Sequence, residues 1–122
     1  MALHIRRGDT GTYVHTDDPS VVRGKTKPIG RTWLPEAGQS ADCTRVTVRP
    51  LDVFEFAAWG ATRGAEQVTS AWVGVVAIDG EEATPEMLQQ LPPQISLSMI
   101  ELVLAVTMGE AATASGPLDR SE

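Results

Sequence analysis

A change of character near residue 45 constrains this chain more than any other feature of its sequence. Residues 1–43 are polar and dense in turn formers, residues 44–109 are apolar and acidic, and residues 110–122 make a small polar tail. Asp9-Thr10-Gly11, Asp17-Asp18-Pro19-Ser20, Pro28, Gly30, Pro35 and Gly38 punctuate the first stretch so closely that no helical period survives. A segment without a periodic apolar face cannot order itself and needs another surface. The expectation is an extended N-terminal arm, with short extended pieces at 11–15 and 30–34, ahead of a block that folds without it.

The block opens on Thr44-Arg45-Val46-Thr47-Val48-Arg49, a β-branched alternation with Val46 and Val48 on one strand face and Arg45, Thr47 and Arg49 on the other. Pro50 ends it. Asp52 followed three residues later by Glu55 predicts a capping box, and Val53, Phe54, Phe56, Ala57, Ala58 and Ala61 continue a helix of about three turns. Residues 65–78 suit a helix or a buried strand, and the reading favours a helix that unwinds before the Asp79-Gly80 turn. Thr84-Pro85-Glu86 starts a short helix reaching Leu91, and Pro92-Pro93 stops it. A final helix is expected over residues 97–108.

The fold class implied is α+β: a mainly helical block of three to four short helices with a small β element, preceded by an extended N-terminal arm. Leu102, Val103 and Val106 make the final helix apolar on nearly every side. A chain of 122 residues has little room for a central helix, so these three side chains are expected at an interface with a second chain.

Charge points the same way. Residues 1–50 carry eight basic side chains against five acids, and the remainder carries two against eleven, which makes the net charge −6. A basic arm and an acidic block can dock head to tail, the complementary fields steering association and fixing register. Tyr13 and Trp33 are the candidate aromatic anchors of that contact, and Arg23, Lys25, Lys27 and Arg31 its candidate cations. A homo-oligomer is the expectation. The acidic total opposes contact with a phosphate backbone, so direct nucleic-acid binding is not expected.

Other chemistries find little support. Cys43 stands alone, which argues against an intrachain disulfide or a cysteine metal cluster and favours a reducing compartment. No apolar run approaches the roughly 20 residues of a membrane span, and the N-terminus lacks the apolar core of a secretory signal. Arg23-Gly24-Lys25-Thr26 ends like a phosphate loop, but Pro19 stands where the earlier glycine belongs. His4 and His15 lie in the turn-rich stretch without a scaffold for metal, and Asp79, Glu81 and Glu82 lack the oxygen spacing of a calcium loop. Arg7-Gly8-Asp9 reads as a chance tripeptide. No catalytic residue, metal or cofactor is expected, and no enzymatic activity.

The stretch Val46-Thr47-Val48-Arg49-Pro50-Leu51, the helix around Phe54, Trp72-Val73-Gly74-Val75, Ile78-Asp79-Gly80, Thr84-Pro85-Glu86-Met87-Leu88, Leu91-Pro92-Pro93 and the closing apolar helix together resemble the tail assembly chaperones and related small morphogenesis proteins of tailed bacteriophages. The resemblance implies a protein acting by protein–protein contact in tail or head–tail morphogenesis, with other tail or connector proteins as partners. It implies residence in the host cytoplasm during assembly. The long stretch before the strand departs from that pattern and suits a virion subunit with an interlocking arm. The alternative is a general cytosolic adaptor module.

Overall fold

The computed structural model of the chain describes residues 10–22, 24–30, 32–109 and 113–114. The β-branched alternation forms the middle strand of a five-stranded antiparallel sheet, ordered β3-β1-β4-β5-β6. Its strands are β1 (Gly11–His15), β3 (Trp33–Pro35), β4 (Arg45–Val48), β5 (Val75–Ile78) and β6 (Glu81–Glu82). A short β2 (Thr26–Lys27) pairs separately with β7 (Thr113–Ala114). Helices α1 (Val53–Ala61) and α2 (Gly64–Trp72) connect β4 to β5, while α3 (Pro85–Gln90) and α4 (Pro93–Thr107) follow β6.

This corrects the expected fold class. The chain is α+β, but its framework is a five-stranded sheet with four helices, not a mainly helical block behind an extended arm. The two pieces expected to be extended are sheet strands: β1 lies between β3 and β4, with Tyr13 opposite Val46 and His15 opposite Trp33. Residues 65–78 resolve into a helix ending at Trp72 and a strand from Val75, so the favoured helix-only reading is also corrected. Asp79 and Gly80 both adopt positive φ, 52° and 83°, and close the β5–β6 hairpin as a two-residue turn.

Strand periodicity sorts the side chains onto two faces. Val46 and Val48 join Trp33, Val75, Met99, Ile100, Leu102 and Val103 in the main core, against which Tyr13 packs. On the opposite face Val14, Leu34 and Cys43 form a smaller buried cluster. The Trp33 indole NH donates to the Ser98 carbonyl at 2.8 Å, tying β3 to α4. The Trp72 indole NH donates to the Thr84 carbonyl at 3.0 Å and ties α2 to the segment entering α3.

Gly74 explains how α4 comes so close. A Cβ there would fall on Val103 Cγ1 and within 3.0 Å of the Arg49 carbonyl oxygen. Overpacking of this kind costs about 1–3 kcal/mol. Gly74→Ala is therefore expected to lower stability by about that amount in denaturant titration. Deletion of residues 1–42 removes β1, β3 and the Trp33 side chain, so the remainder is expected to lose its cooperative unfolding transition by circular dichroism; a truncated chain that still unfolds cooperatively would show that the other three strands and the helices suffice.

Candidate interaction surface

Most residues expected to meet a partner are used inside the chain. Leu102 and Val103 are 0% exposed and Trp33 1%, so all three are corrected from interface to core. Tyr13 and Val106 are partly buried and pack against that core. Burial also raises the Tyr13 phenol above its ordinary pKa. Lys25 and Lys27 are exposed, the latter on β2, whereas Arg23 and Arg31 lie outside the described residues. The size argument for the final helix fails because β1 and β3 widen the sheet. Strand β4 gains a neighbour on each side, and a helix apolar all round finds cover within one chain.

The exposed apolar surface lies instead on α1. This helix has no fully buried residue. At 100° per residue, Phe56 and Trp59 point one way, toward the core, while Val53, Ala57, Ala61, Phe54 and Ala58 span an arc of about 140° on the outward side. Phe56 and Trp59 stack at 5.6 Å between ring centroids. Phe54 is 82% exposed and Val53 73%. An ordinary surface helix turns its polar face to water, and α1 does the reverse. Val22, Leu97 and Met108 are also exposed, away from that arc, and Val73 and Val76 line a cleft beside Arg49.

The single charged residue of α1 is drawn back from that arc. Glu55 accepts from Arg49 through both oxygens, Nη1 to Oε1 and Nη2 to Oε2, each at 2.8 Å. Its Oε1 also accepts from the Asp52 backbone NH at 2.9 Å, while Asp52 Oδ1 accepts from the Glu55 NH at 2.8 Å, completing the capping box expected from the sequence. One residue before the cap, the Leu51 NH donates to Thr107 Oγ1 at 2.9 Å, so the start of α1 is fastened to the sheet by Arg49 and to α4 by Thr107. The forked guanidinium, foremost, holds the Glu55 carboxyl down at about 2.

A second feature is a cleft of about 400 Å³ between the turn after β1 and the α3–α4 junction, floored by Trp33, Val46, Ile95 and Met99. Its polar rim is engaged in local structure. Asp18 accepts from the Ser20 and Thr44 backbone NH groups at 2.9 and 3.2 Å, which lowers its pKa. His15 Nδ1 accepts from the Asp17 NH at 3.0 Å, and its ring stands edge-on to Trp33 at 4.9 Å. Among the described residues no group of three or more His, Cys, Asp or Glu side chains is placed to hold a metal ion, and no helix is long and apolar enough to cross a membrane.

Comparison with protein-family models, with curated proteins and with solved structures finds no match. The surface must be read from its own chemistry.

That chemistry would have been visible in sequence, because a helix capped at Asp52 carries one charge in nine residues, and that charge sits three residues from Asp52. The apolar residues that predict the helix also carry, in their distribution around its axis, the outward arc.

Because the Glu55 pKa is depressed from 4.5 to about 2, its bond to Arg49 contributes stability in full above pH 4.5 and loses it as pH falls through about 2. Thermal unfolding of the wild type is expected to fall across that window. Glu55→Gln should be less stable at neutral pH and should follow a flatter curve below pH 4.5; parallel curves would show that other carboxyls set the acid limb.

Proposed function

We propose that this protein is a small assembly subunit that works by binding other protein chains in the morphogenesis of tailed-phage particles. The observation that carries the binding role is the outward arc of α1, where Val53, Phe54, Ala57, Ala58 and Ala61 present apolar surface uninterrupted by charge. Contiguous exposed apolar surface on a small protein marks a site that a second macromolecule covers, and an exposed aromatic is the residue type that dominates such contacts. The phage setting is supported by the resemblance of the strand, turn and helix motifs between Val46 and Val106 to tail assembly chaperones and small morphogenesis proteins. In this reading the partners are tail or connector proteins and further copies of the chain, met in the host cytoplasm and retained in the particle if the subunit is structural.

The helix also suits the role mechanically. It is folded and capped at both ends before any partner arrives, so binding need not order it.

The test replaces Phe54 with a photo-crosslinking phenylalanine derivative in phage-producing cells, beside a control probe at Met108, which is also exposed. Light-dependent capture from position 54 of a tail-tube, tape-measure or connector chain, or of a further copy, is the expected result. Capture only of abundant host proteins, or equal capture from both positions, would overturn the assembly role.

A further inference from the structure

We infer that two loops on the far face of the sheet, residues 17–22 and 36–44, form a strap that opens as a unit while the rest of the fold stays closed, bringing the Cys43 side chain into water. The strap is independent of the assembly role. What marks it is the unequal cover on the two faces of one sheet. On the main face, Val46 and Val48 lie in a core that α4 closes with Met99, Ile100, Leu102 and Val103. On the far face, Val14 of β1 and Leu34 of β3 are just as deeply buried, yet they are enclosed by Cys43 and the partly buried Val21, each on a loop. Cys43 is the one buried residue of 36–44, and none of 17–22 is buried. A cover that withdraws so little apolar surface when it lifts has a low local stability.

The bonds that hold the strap have the same character. The Glu36 NH donates to the Thr12 carbonyl at 3.1 Å and fixes one end to β1, and the other end runs into β4 at Arg45. Between them the backbone bonds among the described residues are local, from the Gln39 NH to the Glu36 carbonyl at 3.0 Å and from the Cys43 NH to the Ser40 carbonyl at 3.4 Å. Side chains supply the remaining ties. The Gln39 amide accepts from the Val22 NH and donates to the Val22 carbonyl, each at 2.7 Å. Arg45 donates to the Ser40 and Cys43 carbonyls at 2.9 and 3.0 Å and to Glu36 at 2.8 Å. Asp18 accepts from the Thr44 NH at 3.2 Å. All of these side-chain ties except that to the Cys43 carbonyl are exposed, so water replaces each lost partner and the net cost of breaking it is small.

Cooperation between the loops follows from the cross-ties. Gln39 to Val22 and Asp18 to Thr44 each join one loop to the other, and both loops close on the same small cluster, so neither lifts without loosening its neighbour. The main core is not involved. Trp33 and Val46 face away from the strap, and the ladders of β1 with β3 and β4 do not pass through it.

The test is the rate at which the full-length protein reacts with an excess of an aromatic disulfide. The Cys43 thiolate attacks one sulfur of the reagent, forming a mixed disulfide and releasing a coloured aromatic thiolate. Cys43 is the single cysteine of the chain, so the signal has one source. The native protein is expected to react at least about tenfold slower than the chain unfolded in denaturant, because the closed strap excludes the reagent. Below the unfolding transition its rate should be nearly independent of denaturant, since lifting the strap exposes little new surface. Gln39→Ala should react about fivefold faster with an unchanged circular dichroism spectrum, because the tie to Val22 is gone. Gly74→Ala, which strains the seat of Val103 in the main core, should leave the rate unchanged. A wild-type rate that climbs steeply with denaturant, or one that rises in Gly74→Ala, overturns the strap, because Cys43 then emerges only when the whole fold opens. Reaction as fast as in the unfolded chain also overturns it, and a rate indifferent to Gln39→Ala removes the latch on which it depends.

Discussion

Burial of α4 is the constraint on which the rest of the structure depends. Met99, Leu102 and Val103 are at most 2% exposed, and no single neighbouring element could cover them all. A chain of 122 residues buries only about two-thirds of its unfolded surface, so it must draw core from wherever apolar side chains occur. Here the turn-rich first third contributes Val14, Ile29, Trp33 and Leu34, each at most 1% exposed, and with them two of the five strands. Trp33 is the largest fully buried side chain and makes its indole bond to α4 itself. The close seat of Val103 on Gly74 completes the cover from the other end of the sheet. Cover for α4 comes from α2, β4 and β5 together with the Trp33 side chain, so Leu102 and Val103 are enclosed within one chain.

What was legible in the sequence is what neighbouring residues decide among themselves. The alternation at β4, the Asp52–Glu55 capping box, the proline start of α3 and the extended span at β1 each depend on a handful of consecutive side chains, and each is present. The change from helix to strand after Trp72 was not legible, because it depends on whether β4 has a free edge for Val75 to pair with. Nor was the destination of Tyr13 and Trp33. An aromatic on a polar segment announces that it will be buried but not against what, and a strand of the same chain 18 or more residues away competes with any neighbour at an effective concentration no second molecule matches. The mistaken fold class follows from that one substitution of an intermolecular surface for an intramolecular one.

The charge asymmetry seen in sequence has a structural counterpart, though not the one expected of a free arm. Ile29 bridges Trp33 on the outer side of β3 and brings the exposed Lys25 and Lys27 to one end of the sheet, while Glu81 and Glu82 form the strand at the other. Both ends carry features that discourage further strand pairing, the acids on β6 and Pro35 on β3. Association by adding strands, natural for an extended arm, is thus the route this sheet resists. The unpartnered apolar surface is moved onto a helix, whose backbone is already hydrogen-bonded and which can be covered without extending the sheet.

That transfer depends on Arg49. The guanidinium sits just past β4, where it donates to the Pro50 carbonyl at 3.1 Å as well as to both Glu55 oxygens. Were Glu55 free, its carboxylate would lie beside the outward arc and would have to be desolvated by anything docking there, a penalty of several kcal/mol for an unpaired ion. Held by the fork it is partly withdrawn, its charge is matched, and the same bond orients the first turn of α1 against the sheet. A helix presented this way loses little conformational entropy when covered, because its cap, its first turn and its attachment to β4 are already in place. The fold therefore spends one ion pair to make an apolar helix face both rigid and free of charge, on a helix that contributes no fully buried residue.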